Sequence, residues 1–83
     1  MAKNGIVELD LHGMTTAQAR TAIDARLKRC GKAVYRLRLI HGCHGGSAIR
    51  DMVRCEYRAK KGVLRVETGL GEGVTDLVLR ELF

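Results

Sequence analysis

Aromatic side chains are scarce in this sequence: it contains no tryptophan, and its only aromatic residues are Tyr35, Tyr57 and Phe83. Proteins that hold single-stranded nucleic acid by base stacking need aromatic platforms, so this mode of binding has little support. Long apolar runs are also missing, since no stretch approaches the roughly 20 residues that span a bilayer. No apolar segment near the start indicates a signal peptide. We therefore expect a cytoplasmic location and no membrane partner.

Cysteine is rare and odd in number, at Cys30, Cys43 and Cys55, with no Cys-x-x-Cys pair. This usage is typical of free thiols in a reducing compartment rather than of a disulfide framework. Cys30 and Cys55 fall on predicted helices, where we expect ordinary buried thiols. Cys43 beside a histidine is a conceivable nucleophile, although its glycine neighbours also fit a simple loop residue.

Basic residues dominate the charge, with 15 Lys and Arg against 9 Asp and Glu and a formal net charge of +6. Ten of these 15 are arginines, whose planar guanidinium has the donor geometry that suits phosphate. Net positive charge attracts polyanions and accelerates encounter with them. The charge favours RNA or DNA as a partner, although many small proteins are basic without one.

Periodicity predicts the secondary structure of a single domain over residues 1–83, with residues 1–5 flexible. Strands are predicted over 6–11, 34–40 and 63–68, and residues 74–82 fit a fourth strand or a mixed tail. Thr15 and Gln18 form a capping box for the first helix, which Gly31 is placed to end in the left-handed conformation. Ser47 and Gly62 are the predicted N-cap and end of the second helix.

The predicted order βαβαββ indicates a small α/β protein, an α+β two-layer sandwich with a mixed four-stranded sheet. Strand-helix-strand units place their strands parallel, with a right-handed crossover. The third and fourth strands, joined by a short turn, should run antiparallel. We expect a monomer.

All three histidines fall in loops after the first two strands, His12 in one loop and His41 and His44 in the other. The carboxyl ends of parallel strands meet at one edge of a sheet, where α/β proteins bind ligands. The glycine-rich turn 68–73 follows the third strand and should lie at the same edge. The topology therefore predicts a single crevice.

The loop 41–47 precedes a helix whose N-terminal N–H groups can bind phosphate, and its glycines let an anion approach the main chain. A plain glycine turn is the alternative. The residues predicted to hold phosphate there are Gly42, His44, Gly45, Gly46 and Ser47.

Arginines continue this predicted phosphate site along the second helix. Arg50 lies in the first turn, where the helix dipole opposes a cation unless an anion is bound. Arg54 and Arg58 follow at steps of four residues, which predicts a basic stripe on one helix face. A solvated face paired with Asp51 and Glu56 explains Arg54 and Arg58 equally well, whereas phosphate contact is favoured for Arg50.

Asp10 and His12 are two residues apart, so their side chains share one side of a strand. A carboxylate beside an imidazole can orient it as a general base, although Asp10 could instead cap a loop. With His41 across the crevice, two imidazoles could serve as base and acid in metal-free cleavage that uses a ribose 2′-OH. A Mg²⁺ held by carboxylate during catalysis is a further possibility, but the spacing fits no structural zinc site, and no cofactor is expected.

Three segments resemble the motifs of Smr (small MutS-related) domains. They are Leu-Asp-Leu-His-Gly-Met-Thr at 9–15, Leu-Ile-His-Gly at 39–42 and Gly-Glu-Gly-Val-Thr at 71–75. The resemblance covers nearly the whole chain and implies a fold similar to the C-terminal domain of bacterial translation initiation factor three. It also implies nucleic-acid binding, with DNA nicking or RNA cleavage in several members, and a connection with the ribosome or with DNA repair.

By motif match, the resemblance assigns catalytic roles to Asp10, His12 and His41. It adds further phosphate-binding candidates from the closing segment, which are Gly71, Gly73 and Thr75. The chain departs from the family in one loop. Many members read His-Gly-x-Gly, whereas this chain reads His-Gly-Cys-His-Gly-Gly, so that His44 replaces the second glycine.

Three functions follow from this reading. The leading hypothesis is a nucleic-acid-binding domain with endonuclease activity, on RNA more than on DNA. A non-catalytic binding module is the alternative that the displaced glycine favours. An enzyme acting on a small phosphorylated molecule would use the same crevice.

Overall fold

The described part of the chain contains two helices and four strands, in the predicted order βαβαββ. The computed structural model describes residues 5–42, 48–68, 71 and 73–81. Its elements are β1 (Ile6–Asp10), α1 (Thr16–Arg29), β2 (Arg36–Ile40), α2 (Ala48–Glu56), β3 (Arg65–Glu67) and β4 (Val74–Val78). Residues 1–4, most of the segment predicted to be flexible, lie outside the described residues, whereas the Gly5 carbonyl accepts hydrogen bonds from the N–H groups of Tyr35 and Arg36.

The four strands form one mixed sheet in the order β1-β2-β4-β3. β1 and β2 are parallel, and β4 is antiparallel to both β2 and β3. The predicted mixed sheet and the predicted antiparallel pairing of the last two strands are therefore confirmed. β4 lies between the two strands that α2 connects, so β2 and β3 run in the same direction without being neighbours.

One face of the sheet carries the apolar core. Leu37, Leu39 and Leu77 are fully buried on this face, and they pack in one cluster with Ile23 of α1 and Val53 of α2. The alternation of buried and less buried residues along β2 follows from the two-residue period of a strand. The result is a two-layer sandwich with both helices on the same side.

The opposite face of the sheet holds charged side chains. Asp76 of β4 is almost fully buried and binds two arginines of β2, with Oδ2 2.7 Å from Arg36 Nη1 and Oδ1 3.1 Å from Arg38 Nε. Arg36 also forms an ion pair with Glu67 of β3 at 2.8 Å. The buried carboxylate is thus neutralised by two cations, as a buried charge requires.

The first helix begins as predicted and ends differently. Thr15 Oγ1 accepts from the Gln18 N–H while Gln18 Oε1 accepts from the Thr15 N–H, which is a complete capping box. At the other end, the cap is Cys30 in an extended conformation, and its N–H donates to the carbonyls of Arg26 and Leu27. Gly31 does not adopt a positive φ, so the predicted left-handed cap is wrong: the last carbonyls are already satisfied by Cys30.

The second helix ends earlier than predicted. α2 stops at Glu56, and Gly62 lies in a later turn with φ +94°. The chain leaves the helix at Tyr57, whose buried phenol donates to Asp24 Oδ1 at 2.7 Å. Arg58 therefore lies beyond the helix, and the predicted basic stripe on α2 does not reach it.

The cysteine prediction is wrong in its burial. Cys55 is exposed on α2, and Cys30 is only partly buried at the end of α1. Burial nonetheless raises the pKa of the Cys30 thiol. Among the described residues, neither helix combines the length and apolar character needed to cross a bilayer.

Candidate functional site

Three loops meet at the carboxyl edge of the parallel strand pair. The Leu11 N–H donates to the Ile40 carbonyl at 2.8 Å, which joins the end of β1 to the end of β2. The N–H groups of His41 and Gly42 both donate to the Gly73 carbonyl, at 3.0 and 3.1 Å. The segments after β1 and β2 and the turn before β4 are therefore held together by main-chain hydrogen bonds, as the topology predicted.

The loop after β1 presents His12 to solvent. Asp10 Oδ1 accepts a hydrogen bond from the main-chain N–H of His12 at 3.0 Å, and the Met14 N–H donates to the Leu11 carbonyl at 3.1 Å. Gly13 takes a φ of +82° in this turn, which glycine adopts without strain. Since Leu11 is buried and His12 is exposed, the turn is anchored on one side and carries an accessible imidazole.

The Asp10 carboxylate acts on the main chain of this loop. Its hydrogen bond closes a turn of the kind that Asp side chains form with the N–H two residues ahead. Within the described residues, no hydrogen bond joins the His12 ring to the Asp10 carboxylate. Asp10 therefore fixes the position of the loop, and its sequence-based role in orienting the imidazole stays a prediction.

His41 is buried at the centre of a hydrogen-bonded chain. Its exposed fraction is 8%, its Nδ1 lies 3.1 Å from the Gly42 carbonyl oxygen, and its Nε2 lies 2.8 Å from Thr75 Oγ1. Because a carbonyl oxygen only accepts, Nδ1 must carry the proton. In the neutral ring, Nε2 then accepts from the Thr75 hydroxyl.

Arg54 of α2 completes this chain. Its Nε donates to Thr75 Oγ1 at 3.1 Å, so the hydroxyl oxygen accepts from the guanidinium while its hydrogen serves His41. Thr75 is fully buried on the helix side of β4. We name this set, His41, Thr75 and Arg54, the buried polar chain. No carboxylate in the described part of the protein pairs with Arg54, whose contact in this site is the hydrogen bond to Thr75.

The surroundings of His41 favour its neutral form. Burial lowers the pKa of the imidazole, and the positive charges of Arg54 and Arg50 lower it further, while the hydrogen bond to the Gly42 carbonyl opposes this shift. A neutral ring with both nitrogens occupied by protein atoms is suited to holding its neighbours in place. Its sequence-based role as the acid or base opposite His12 stays a prediction.

The remaining predicted site residues are divided between the described and undescribed parts. Arg50 lies in the first turn of α2, where its Nε is 3.3 Å from Asp51 Oδ1. This ion pair agrees with the alternative prediction of a solvated helix face paired with Asp51. Glu56, the other predicted partner, pairs with Arg20 instead. Gly71 is exposed, with φ +130°. His44, Gly45, Gly46 and Ser47, with Cys43, lie outside the described residues.

The chain matches the family model of the Smr domain over residues 9–80. This chain belongs to the Smr domain family. The solved structure of the Smr domain of Thermus thermophilus MutS2 is 34% identical and superposes with a TM-score of 0.80, covering 90% of this chain and 99% of that one. Among proteins of curated function, no significant match is found. Smr domains are generally nucleic-acid-binding, and some are endonucleases.

The Smr motifs of this chain occupy the three loops that meet at the carboxyl edge. The first motif supplies the exposed His12, the second supplies the buried His41 and Gly42, and the third supplies Gly73 and Thr75. Gly42 has a φ of +79°, a conformation that favours glycine at this position. The motifs of the Smr domain thus form one hydrogen-bonded site although they are far apart in sequence.

Two features of the structure, one in the site and one on the opposite face of the sheet, were not predicted from the sequence. Thr75 was assigned to phosphate, yet it is the hydroxyl that connects His41 to Arg54. Thr75 lies two residues before the buried Leu77, so both side chains point to the helix side of the sheet. This spacing is a signal present in the sequence. The burial of Asp76 against Arg36 and Arg38 has no local signal, because it depends on which strand pairs with β2.

No group of three His, Cys, Asp or Glu side chains within residues 5–42, 48–68, 71 and 73–81 is arranged to hold a metal ion. Mg²⁺ dependence stays a prediction, since a catalytic metal can be held partly by substrate phosphates.

Proposed function

We propose that this Smr domain binds nucleic acid at the carboxyl edge of its sheet and cleaves phosphodiester bonds there, RNA more than DNA. The observation that supports this most is the convergence of the three motif loops, with the exposed His12 imidazole on one of them and a half-buried cation, Arg54, behind the others. An exposed imidazole can transfer protons, and an unpaired, oriented guanidinium can hold a phosphate.

In the proposed reaction, His12 takes the proton from a ribose 2′-OH. The 2′ oxygen attacks the adjacent phosphorus and forms a 2′,3′-cyclic phosphate, while the bond to the 5′ oxygen breaks and that oxygen receives a proton from water. This route needs the 2′-OH, which accounts for the preference for RNA. Asp10 keeps His12 at the edge by holding the main chain of its loop.

His41 and Thr75 are proposed to be positioning residues. Thr75 fixes the Nε side of the Arg54 guanidinium, and His41 fixes the Thr75 hydroxyl and the Gly42 carbonyl. Arg54, with Arg50 and the glycine-rich segment 42–47, would then hold the phosphate next to the attacked bond. A preorganised donor set of this kind gains most when its members are locked before the substrate arrives.

The deciding experiment compares the wild type with His12→Asn on end-labelled RNA, single-stranded DNA and duplex DNA, with binding measured on the same samples. We expect the variant to lose cleavage and to keep most of its affinity, because Asn occupies similar space without titrating near neutral pH. Cys55→Ala, at an exposed position of α2, is the control and should cleave like the wild type. Parallel reactions with Mg²⁺ and with chelator determine whether a metal takes part.

A non-catalytic binding module is the second candidate, and one observation favours it. The Asp10 carboxylate is bound to a main-chain N–H, and both ring nitrogens of His41 have protein partners. Neither Asp10 nor His41 is therefore committed to proton transfer. Binding that weakens with salt while the substrate stays intact would establish this function instead. Equal loss of cleavage and affinity in His12→Asn would remove the catalytic assignment of His12.

A further inference from the structure

The positive charge of this protein is concentrated in its helical layer. The helices with their flanking loops, residues 11–35 and 48–64, contain ten Lys or Arg and three Asp or Glu. The strands and the other described residues contain four Lys or Arg and five Asp or Glu. The net charge of +6 therefore belongs to the helix side of the sandwich.

Ion pairs increase this difference between the two faces. On the sheet side, Arg36 and Arg38 share Asp76, and Arg65 binds Glu67 at 2.8 Å. On the helix side, Arg20 of α1 pairs with Glu56, and Lys60 pairs with Asp24. Most other cations in the segments that follow α1 and α2 have no carboxylate partner among the described residues. Among the described residues, most of the unneutralised positive charge therefore lies in the helical layer, and the exception outside it is Arg80, whose Nε donates to the Val34 carbonyl at 3.0 Å.

A groove in this layer lies away from the candidate site. Each helix starts after the carboxyl end of a strand and runs back, so the end of α1 and the connection after α2 lie at the amino edge of the sheet. The groove there is lined by Asp24, Leu27 and Lys28 of α1 and by Lys60 and Lys61 beyond α2. We call it the distal lysine groove.

The one carboxylate in the groove is already satisfied. Asp24 Oδ1 accepts from the Tyr57 hydroxyl at 2.7 Å and lies 3.6 Å from Lys60 Nζ. Lys60 also lies 5.7 Å from the centre of the Tyr57 ring, a contact that helps to place it. Lys28 and Lys61 have no carboxylate within ion-pair distance in the described part of the chain, so the groove keeps two unpaired ammonium groups.

We propose that the distal lysine groove is a second phosphate-binding surface for the same nucleic acid. The nucleic-acid strand bound at the carboxyl edge of the sheet would continue across α2 to Lys28 and Lys61 at the amino edge. The path runs alongside α1, which has 14 residues and is therefore about 21 Å long at 1.5 Å per residue, and this corresponds to about six nucleotides at roughly 3.4 Å per nucleotide along a helical strand. This inference rests on the proposed function, because it extends the same ligand beyond the site.

The test measures binding of two labelled RNAs, one of four and one of fifteen nucleotides, over a range of salt concentrations. The proteins are the wild type, the double variant Lys28→Gln/Lys61→Gln, and Arg65→Gln as a charge control on the sheet face. For the long RNA, we expect the double variant to bind more weakly and to lose about 1.4 from the slope of log K against log salt, the value for two phosphate contacts on a single strand. Its binding of the short RNA and its cleavage rate at saturation should match the wild type.

Four results would overturn the proposal. The long RNA could bind the double variant as it binds the wild type, the short RNA could be weakened as much as the long one, or Arg65→Gln could reduce the slope as much per charge. If the double variant lost the binding of the wild type to phosphatidylserine vesicles and kept its RNA binding, the groove would be assigned to a membrane surface. This result would also overturn the proposal. Failure of the proposed function is distinct, because the wild type would then bind neither RNA.

Discussion

Thr75 is the residue on which the buried part of the site depends. A hydroxyl offers one donor and two acceptor positions, and Thr75 uses both functions, toward His41 and toward Arg54. A residue of similar shape without the hydroxyl, such as valine, would leave the imidazole and the guanidinium without a common partner. A single hydroxyl therefore decides how the Arg54 guanidinium, the proposed phosphate ligand, is oriented in this site.

The buried His41 predicts a specific pH dependence of folding. In the unfolded chain the ring titrates near its ordinary pKa of 6.5, whereas burial lowers the pKa in the folded protein. Between these two values the unfolded chain binds more protons, so unfolding becomes more favourable as the pH falls. The contribution of His41 to stability is complete above pH 6.5 and declines until the folded pKa is reached.

Urea denaturation of the wild type and of His41→Gln between pH 8 and pH 4.5 measures this effect. We expect the midpoint of the wild type to fall more steeply below pH 6.5 than that of the variant, because glutamine does not titrate. The same dependence in both proteins would show that the His41 ring is not what couples folding to pH.

At the scale of one element, α1 owes its start to the capping box. Thr15→Ala removes the hydroxyl that accepts from the Gln18 N–H, and we expect a loss of about 1 kcal/mol. In a domain of this size, that corresponds to a fall of roughly 4–8 °C in Tm, measurable by circular dichroism. Thr21→Ala makes the same change on an exposed position inside the helix, where alanine has the higher helix propensity, and should not lower Tm.

Local signals explain which elements could be predicted. The capping box, the alternation along β2 and the glycine-rich turn before β4 are all encoded within a few residues, and each led to the correct element. The end of α1 was mispredicted because the Cys30 N–H satisfies carbonyls that Gly31 was expected to serve. The end of α2 was mispredicted because the buried Tyr57, whose partner Asp24 lies on another helix, directs the chain away before Gly62.

Contacts between distant elements explain what could not be predicted in the site. His12, His41 and Thr75 were each identified from motifs, and parallel-strand topology correctly brought their loops to one edge. The burial of His41 and its connection to Arg54 depend on β4 lying beside β2, which no local pattern specifies. Sequence reasoning therefore found the residues of the site more readily than the roles that their contacts suggest.

At the scale of the whole molecule, β4 holds the sheet together. It is hydrogen-bonded to β2 on one side and to β3 on the other, and it carries Thr75 of the buried polar chain and Asp76 of the charged face. The last strand in sequence thus completes the core, the site and the open face of the sheet at once. Damage to β4 should affect all three together.

Leu77→Ala tests this dependence. Leu77 is fully buried and lies opposite Leu37 on one neighbour and Val66 on the other. Truncation to alanine should cost about 2–5 kcal/mol, against a total stability of roughly 4–12 kcal/mol expected for a domain of this length. The variant should therefore lose a large share of its stability, with a large fall in the urea midpoint. Leu64→Ala is the matched control, since Leu64 is 52% exposed and its truncation should change stability by no more than about 0.5 kcal/mol.

A small effect of Leu77→Ala would mean that the helices and the β1–β2 pair are stable without the packing that β4 provides, and the core would then not depend on its last strand.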